Sequence, residues 1–116
     1  MRIINILPIG SCPNWVNYPD GYTKLVTNGR EEFLPWYLTD GEDTKWRLIG
    51  LKKRYPTRDI FPFARRDYTD DIACWEKGQG EKVFIIHDFA SSGFEQREIF
   101  NNFDAWYQWA LQQTEE

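Results

Sequence analysis

IFPFARRDYTDDIACWEKGQGEKVFIIHDFA, residues 60–90, decides the fold of this chain. It holds the three most strand-like runs in the sequence, at residues 60–64, 72–75 and 83–89. Turn-forming material separates them: Asp67-Tyr68-Thr69-Asp70-Asp71 in the first gap, Lys77-Gly78-Gln79-Gly80 in the second. β-Branched and aromatic residues bounded by Asp and Gly clusters predict a meander of antiparallel strands. Val83-Phe84-Ile85-Ile86 is apolar without a break, which places it in the middle of the sheet with both faces covered. Everything else reads as cover for this sheet.

Toward the C-terminus, residues 90–94, with Ser91, Ser92 and Gly93, read as a loop. Asn101 or Asn102 is placed to cap a final helix, and Asp104 in its first turn suits the helix dipole. Phe103, Trp106, Tyr107 and Ala110 recur at the helical spacing i, i+3, i+4, i+7, which predicts an amphipathic helix laid on the sheet. Trp109 falls off that stripe. Only the terminal Glu115-Glu116 should fray.

Toward the N-terminus, residues 44–55 carry helix formers, with Leu48, Leu51 and Tyr55 on one face. Acid at residues 40–43 and Lys52-Lys53-Arg54 complement the dipole, and Pro56 forbids continuation. Gly50 inside this helix costs roughly 1 kcal/mol against Ala. Residues 33–38 (FLPWYL) read as a strand, with Pro35 marking an edge or the strand's entry. Asp20-Gly21 suggests a turn before residues 22–26, which suit a short helix or a strand. Asn28-Gly29 then caps a helix or makes a tight turn. Residues 2–7 are strand-forming, after which Pro8, Gly10, Pro13 and Pro19 break regular structure.

At 116 residues the chain has the length of one domain, 1–116, with one real core. Six Trp, six Tyr and eight Phe cannot all be interior. A core built from rings accounts for most of them, and the remainder is aromatic surface of the kind enriched at binding sites. A net charge of −4 and a pI near 5.0 argue against a nucleic-acid binder, which needs a basic face for phosphates. The same charge suits a basic protein partner. No long apolar run and no signal-like start are present, so the expectation is a cytoplasmic protein with no membrane association. Cys12 and Cys74 form no metal motif, and a reducing setting disfavours a disulfide between them.

His87-Asp88 is the most tempting catalytic pair. One His in the whole chain excludes a His-Asp metal centre, which needs several His ligands. A triad with Ser91 or Ser92 lacks the G-x-S-x-G elbow, and neighbouring strand residues point to opposite faces. A small hydrolase using His87 and Asp88 therefore stands as the lesser alternative, and the structural reading is a ring bonded to a nearby backbone or carboxylate group. Asp67, Asp70 and Asp71, with Arg65 and Arg66 beside them, are the candidate partner-binding residues: loops on rigid sheets carry recognition. The bland reading of the same residues is a solvated tip with Arg-Asp pairs worth little each. As a calcium loop they lack the EF-hand spacing, its central Gly and its final Glu. Gly78-Gln79-Gly80 has neither the length nor the ending of a phosphate loop. No cofactor or metal is expected.

Pro62-Phe63-Ala64-Arg65-Arg66, Asp70-Asp71-Ile72-Ala73-Cys74-Trp75 and residues 82–91 together resemble the central signature of the SUKH superfamily, in particular its Smi/Knr type. Leu51-Lys52-Lys53-Arg54-Tyr55-Pro56 and Phe103-Asp104-Ala105-Trp106 agree with the same pattern, so the resemblance runs from Trp36 to the C-terminus. Asp67 to Asp71 stand where the family carries turn glycines. The resemblance implies an α+β fold with a mainly antiparallel central sheet and packed helices, and no catalytic machinery. It further implies either an immunity protein that neutralises a cognate polymorphic toxin by stoichiometric binding, or a regulatory interaction domain without a toxin partner. An acidic face suits a basic nuclease-type toxin.

Overall fold

Alternation is the rule on which the sheet is built. Ala73, Trp75, Val83 and Ile85 enter one buried cluster, while Ile72, Cys74, Phe84 and Ile86, their neighbours in the chain, enter another. Successive strand residues point to opposite faces, so both faces of these strands are packed. The computed structural model describes residues 13, 15–28, 32–33, 35–39, 41–91 and 93–113. Expectations placed on residues 2–7, Pro8, Gly10, Cys12, Gly29, Asp40, Ser92 and residues 115–116 lie outside them.

In chain order the elements are α1 (Asp20–Thr27), β1 (Glu32–Phe33), β2 (Trp36–Leu38), α2 (Gly41–Arg54), β3 (Ile60–Arg66), β4 (Asp71–Glu76), β5 (Val83–His87), β6 (Gln96–Phe100) and α3 (Phe103–Leu111). Each strand pairs antiparallel with the next, giving a six-stranded sheet in the order β1-β2-β3-β4-β5-β6. The fold is α+β. Helices α1 and α3 cover one face through Tyr22, Leu25, Phe103, Trp106 and Ala110. Leu51 from α2 and Tyr55 just beyond it cover the other.

Several elements differ from their sequence expectation, each for a local reason. β5 is interior but stands fifth, because β6 adds outside it and leaves β3 and β4 in the middle. β5 also ends at His87, two residues short of the expected strand. Residues 33–38 are not one strand: Pro35 sits in the turn of a short hairpin, with Phe33 opposite Trp36. Asp20-Gly21 does not turn but opens α1 behind Pro19, an arrangement that suits acid in the first turn. α2 begins at Gly41, three residues early, with Glu42 and Asp43 in its first turn. Asn102 is the cap of α3, accepting from Ala105 N–H at 2.8 Å.

Rings make up most of the larger core. Trp75 stacks on Phe63 with centroids 4.2 Å apart, and Trp106 meets Phe63 and Trp36 edge-on at 5.1 and 5.5 Å. Offset and edge-on ring pairs add to what their buried area contributes. A β-bulge between Pro62 and Ala64 keeps Phe63 and Ala64 both in this cluster. Trp109, off the helix stripe, still packs, lying against Trp36 and Phe100.

Trp106 is fully buried at the centre of this ring cluster. Trp106→Ala should therefore lose roughly 3–5 kcal/mol, a large share of the roughly 5–15 kcal/mol a small domain has. Equilibrium denaturation reads this directly, and an unchanged midpoint would refute the packing described.

Candidate functional site

An antiparallel meander puts alternate turns at the same end. The β3–β4 turn (residues 67–70) and the β5–β6 connection (residues 88–95) therefore share one end of the sheet, and backbone bonds join them. Asp88 N–H donates to Asp70 O at 2.9 Å, and Asp67 N–H donates to Pro35 O at 2.6 Å, which ties in the β1–β2 turn as well. Each of the two turns carries an aromatic residue in left-handed backbone: Tyr68 at φ 64° and Phe89 at φ 71°. Bulky residues avoid this region, and holding one there costs on the order of 1–3 kcal/mol. Neither ring recovers that cost by burial, since Tyr68 is 96% exposed and Phe89 61%. Phe94, on the same connection, is 73% exposed.

The predicted acidic residues are all at this end, but they are not equivalent. Asp70 is exposed, Asp67 is half-buried, and Asp71 opens β4 directly opposite His87. The His87 ring Nδ1 lies 2.7 Å from Asp71 Oδ1, so this carboxylate already has a partner. Thr69 Oγ1 accepts from Asp71 N–H at 3.2 Å and tightens the turn. Among the described residues no ion pair joins Arg65 or Arg66 to these acids; the Arg65 guanidinium instead lies 5.7 Å from the Tyr37 ring centroid, across the strand pair.

His87 and Asp88 do not act on one another. His87 is half-buried on Asp71, and no hydroxyl of a described serine bonds its ring. Asp88 is fully buried. Arg54 donates to it twice, Nε to Oδ1 at 2.7 Å and Nη2 to Oδ2 at 2.8 Å; Arg47 Nη1 donates to Oδ2 at 3.0 Å. Phe89 N–H donates to Oδ1 at 2.8 Å, and the Arg54 guanidinium lies 4.0 Å from the Phe89 ring centroid. Sequence reasoning missed this clamp. Its signal was available: Arg47, Leu51 and Arg54 stand at i, i+4, i+7, so two arginines share the inward face of α2.

A second fork lies beyond α2. Arg58 donates Nε and Nη2 to Glu76 at 3.0 and 2.8 Å, Nη1 to Glu95 at 2.9 Å, and Nη2 to Gln96 Oε1 at 3.0 Å. The bonds to Glu76, with those to Glu95, outweigh burial and raise the Arg58 pKa above its ordinary value. Burial pushes Glu95 up, but bonds from backbone N–H groups, including Gly93 at 2.7 Å, and from Arg58 hold its carboxyl below the usual range. Burial raises the Cys74 thiol well above its ordinary value, so it stays protonated and unreactive. Among the described residues no cluster of three or more His, Cys, Asp or Glu is placed to hold a metal ion, and no helix is long and apolar enough to cross a membrane.

No family model, no curated protein and no solved structure matches this chain.

The two charged clusters make separate demands on stability. Asp88→Ala leaves two partly buried arginines without their anion and should cost about 1–3 kcal/mol, measured by denaturant titration at neutral pH. Glu95 titrates lower in the folded state than in the unfolded chain, so its stabilising effect is complete above the ordinary glutamate value of 4.5. That effect is lost as pH falls through the lowered folded value. Stability measured against pH should drop on acidification across this window, and Glu95→Gln should flatten that part of the curve.

Proposed function

We propose that this chain is a non-catalytic protein-binding module of SUKH type, a cytoplasmic immunity protein that neutralises a cognate polymorphic toxin by stoichiometric occlusion. The observation that carries the reading is the display of Tyr68 and Phe89 in strained backbone on two turns bonded to one another. Strain kept at positions this exposed points to function, since burial gives nothing back at Tyr68 and only contact with Arg54 does at Phe89. Rigid, exposed aromatic side chains are the residues that dominate protein interfaces. Asp70 stands beside them as an exposed acid, and the chain's net charge of −4 favours a basic partner such as a nuclease-type toxin. Charge complementarity of this kind mainly sets association rate and register, while the rings supply most of the affinity. The SUKH resemblance supports the same class of partner.

Tyr68→Gly separates binding from folding. Glycine adopts φ 64° freely, so the variant should be as stable as the parent or up to about 1 kcal/mol more stable. Against the product of a toxin gene adjacent to this one, the same variant should bind at least about 30-fold more weakly, as befits a hot-spot ring. Asp70→Lys should slow association and reduce its salt dependence, read by stopped-flow mixing across a salt series. A Tyr68→Gly protein that unfolds more easily yet binds normally would make the ring structural and end this reading.

A further inference from the structure

Gly50 lies inside α2, where glycine lowers stability against alanine and no turn asks for one. A glycine in such a place often makes room for the backbone of another element, but here it makes room for a side chain. The three heavy atoms nearest to where a Cβ on Gly50 would stand all belong to the Arg54 guanidinium. That carbon would lie 2.8 Å from Nη2, 3.0 Å from Nη1 and 3.2 Å from Cζ. Side chains on a helix lean toward its N-terminus. Arg54 therefore runs back over the residue four positions earlier and fills the space that Gly50 leaves open.

A surface arginine would swing aside for a methyl group at little cost, but this one is held. Its Nε and Nη2 donate to the two oxygens of Asp88 at 2.7 and 2.8 Å, and Asp88 is fully buried. The guanidinium also lies 4.0 Å from the Phe89 ring centroid, within reach of the attraction between a cation and a ring face. Phe89 N–H donates to Asp88 Oδ1, so carboxylate, guanidinium and ring form one unit. A methyl group at position 50 would push the guanidinium off the carboxylate and away from the place where it supports the ring.

We propose that Gly50 is a positioning residue of the binding face. By lacking a side chain it seats Arg54 on Asp88, and through Arg54 it sets the orientation in which the Phe89 ring meets the partner. The proposal rests on the reading of the aromatic turns given above and adds to it a residue that acts through another. A ring held in advance need not be ordered when the partner arrives, which leaves more of its contact energy for binding. The stability lost by a glycine inside α2 is thereby tied to recognition.

A double-mutant cycle between Gly50→Ala and Arg54→Ala, read by denaturant titration, tests the seating without any partner. Where nothing crowds it, alanine inside a helix raises the folding constant about fivefold over glycine. That gain should appear in the Arg54→Ala background and be absent or reversed when Arg54 is present. NMR of Gly50→Ala alone gives a reading that does not depend on how well Arg54→Ala folds: the Arg54 Nε–H signal and the Phe89 ring-proton signals should both move. Against the product of the adjacent toxin gene, Gly50→Ala should bind about two- to tenfold more weakly, the cost of ordering a ring no longer held. In a Phe89→Gly background it should weaken binding no further. A fivefold gain from Gly50→Ala with Arg54 in place, unmoved Arg54 and Phe89 signals, or equal weakening in the Phe89→Gly background would overturn the proposal. Parent-like binding by Phe89→Gly would end the reading of Phe89 as a contact and with it the part of Gly50 in binding, while the cycle would still show whether Gly50 seats Arg54.

Discussion

One carboxylate closed off from water determines how the second face of the sheet is covered. Helix α2 buries Gly41, Thr44 and Leu51, an apolar contribution too small to hold a helix firmly by area alone. Asp88 supplies the missing constraint by accepting from Arg54 twice, from Arg47 once and from the Phe89 backbone once. Removing such groups from water costs several kcal/mol per ion, so a buried cluster of this kind adds little net stability even when complete. What it adds here is a single geometry. The carboxylate holds the Phe89 N–H, Arg54 covers the Phe89 ring, and the Asp88 N–H reaches the β3–β4 turn at Asp70. Strain at Phe89 persists because its neighbours on both sides are fixed.

Much of the fold was legible because burial on two faces leaves a strong trace in sequence. The unbroken apolar run at Val83-Phe84-Ile85-Ile86 divides cleanly between the two clusters, and Phe103, Trp106 and Ala110 form the buried stripe of α3 as their spacing requires. β6 was not legible for the converse reason. Gln96–Phe100 is half-exposed or exposed along its length, so no apolar alternation announces it. It is a strand because β5 offers an edge. Pro35 misled in another way: it does mark a boundary, but as the turn of a hairpin whose strands are too short to show a pattern.

The candidate site was legible in position and not in chemistry. An exposed acidic turn between two strands is legible in residues 67–71 directly. That Asp71 is taken by His87 while Asp70 is free depends on strand register, because Asp71 pairs with His87 only once β4 and β5 align as they do. Tyr68 falls in a stretch read as a turn and Phe89 at the end of an expected strand, so neither announces a ring displayed to solvent. Their exposure comes from left-handed backbone, which no local propensity of Tyr or Phe predicts. Composition announced surplus aromatic surface without locating it, and tertiary constraint gathered part of it at one end.

The way β6 is finished bears on how the proposed partner would be held. An exposed edge strand invites another strand to pair with it, and proteins blunt such edges with charged side chains and bulges. Here Gln96 Nε2 donates to Glu98 O at 3.1 Å and Arg97 Nη1 donates to Phe94 O at 2.8 Å. A register shift between Phe84 and Ile86 distorts the same pairing. One backbone acceptor within β6, Glu98 O, and one just before it, Phe94 O, are thus already occupied by the strand's own side chains, and Arg97 and Glu98 add charge. Strand addition would first have to break these bonds, whereas the turns at the sheet's end present their rings on backbone tied by Asp67 N–H to Pro35 O and by Asp88 N–H to Asp70 O. Recognition through side chains on fixed turns is therefore the mode this architecture favours over extension of the sheet.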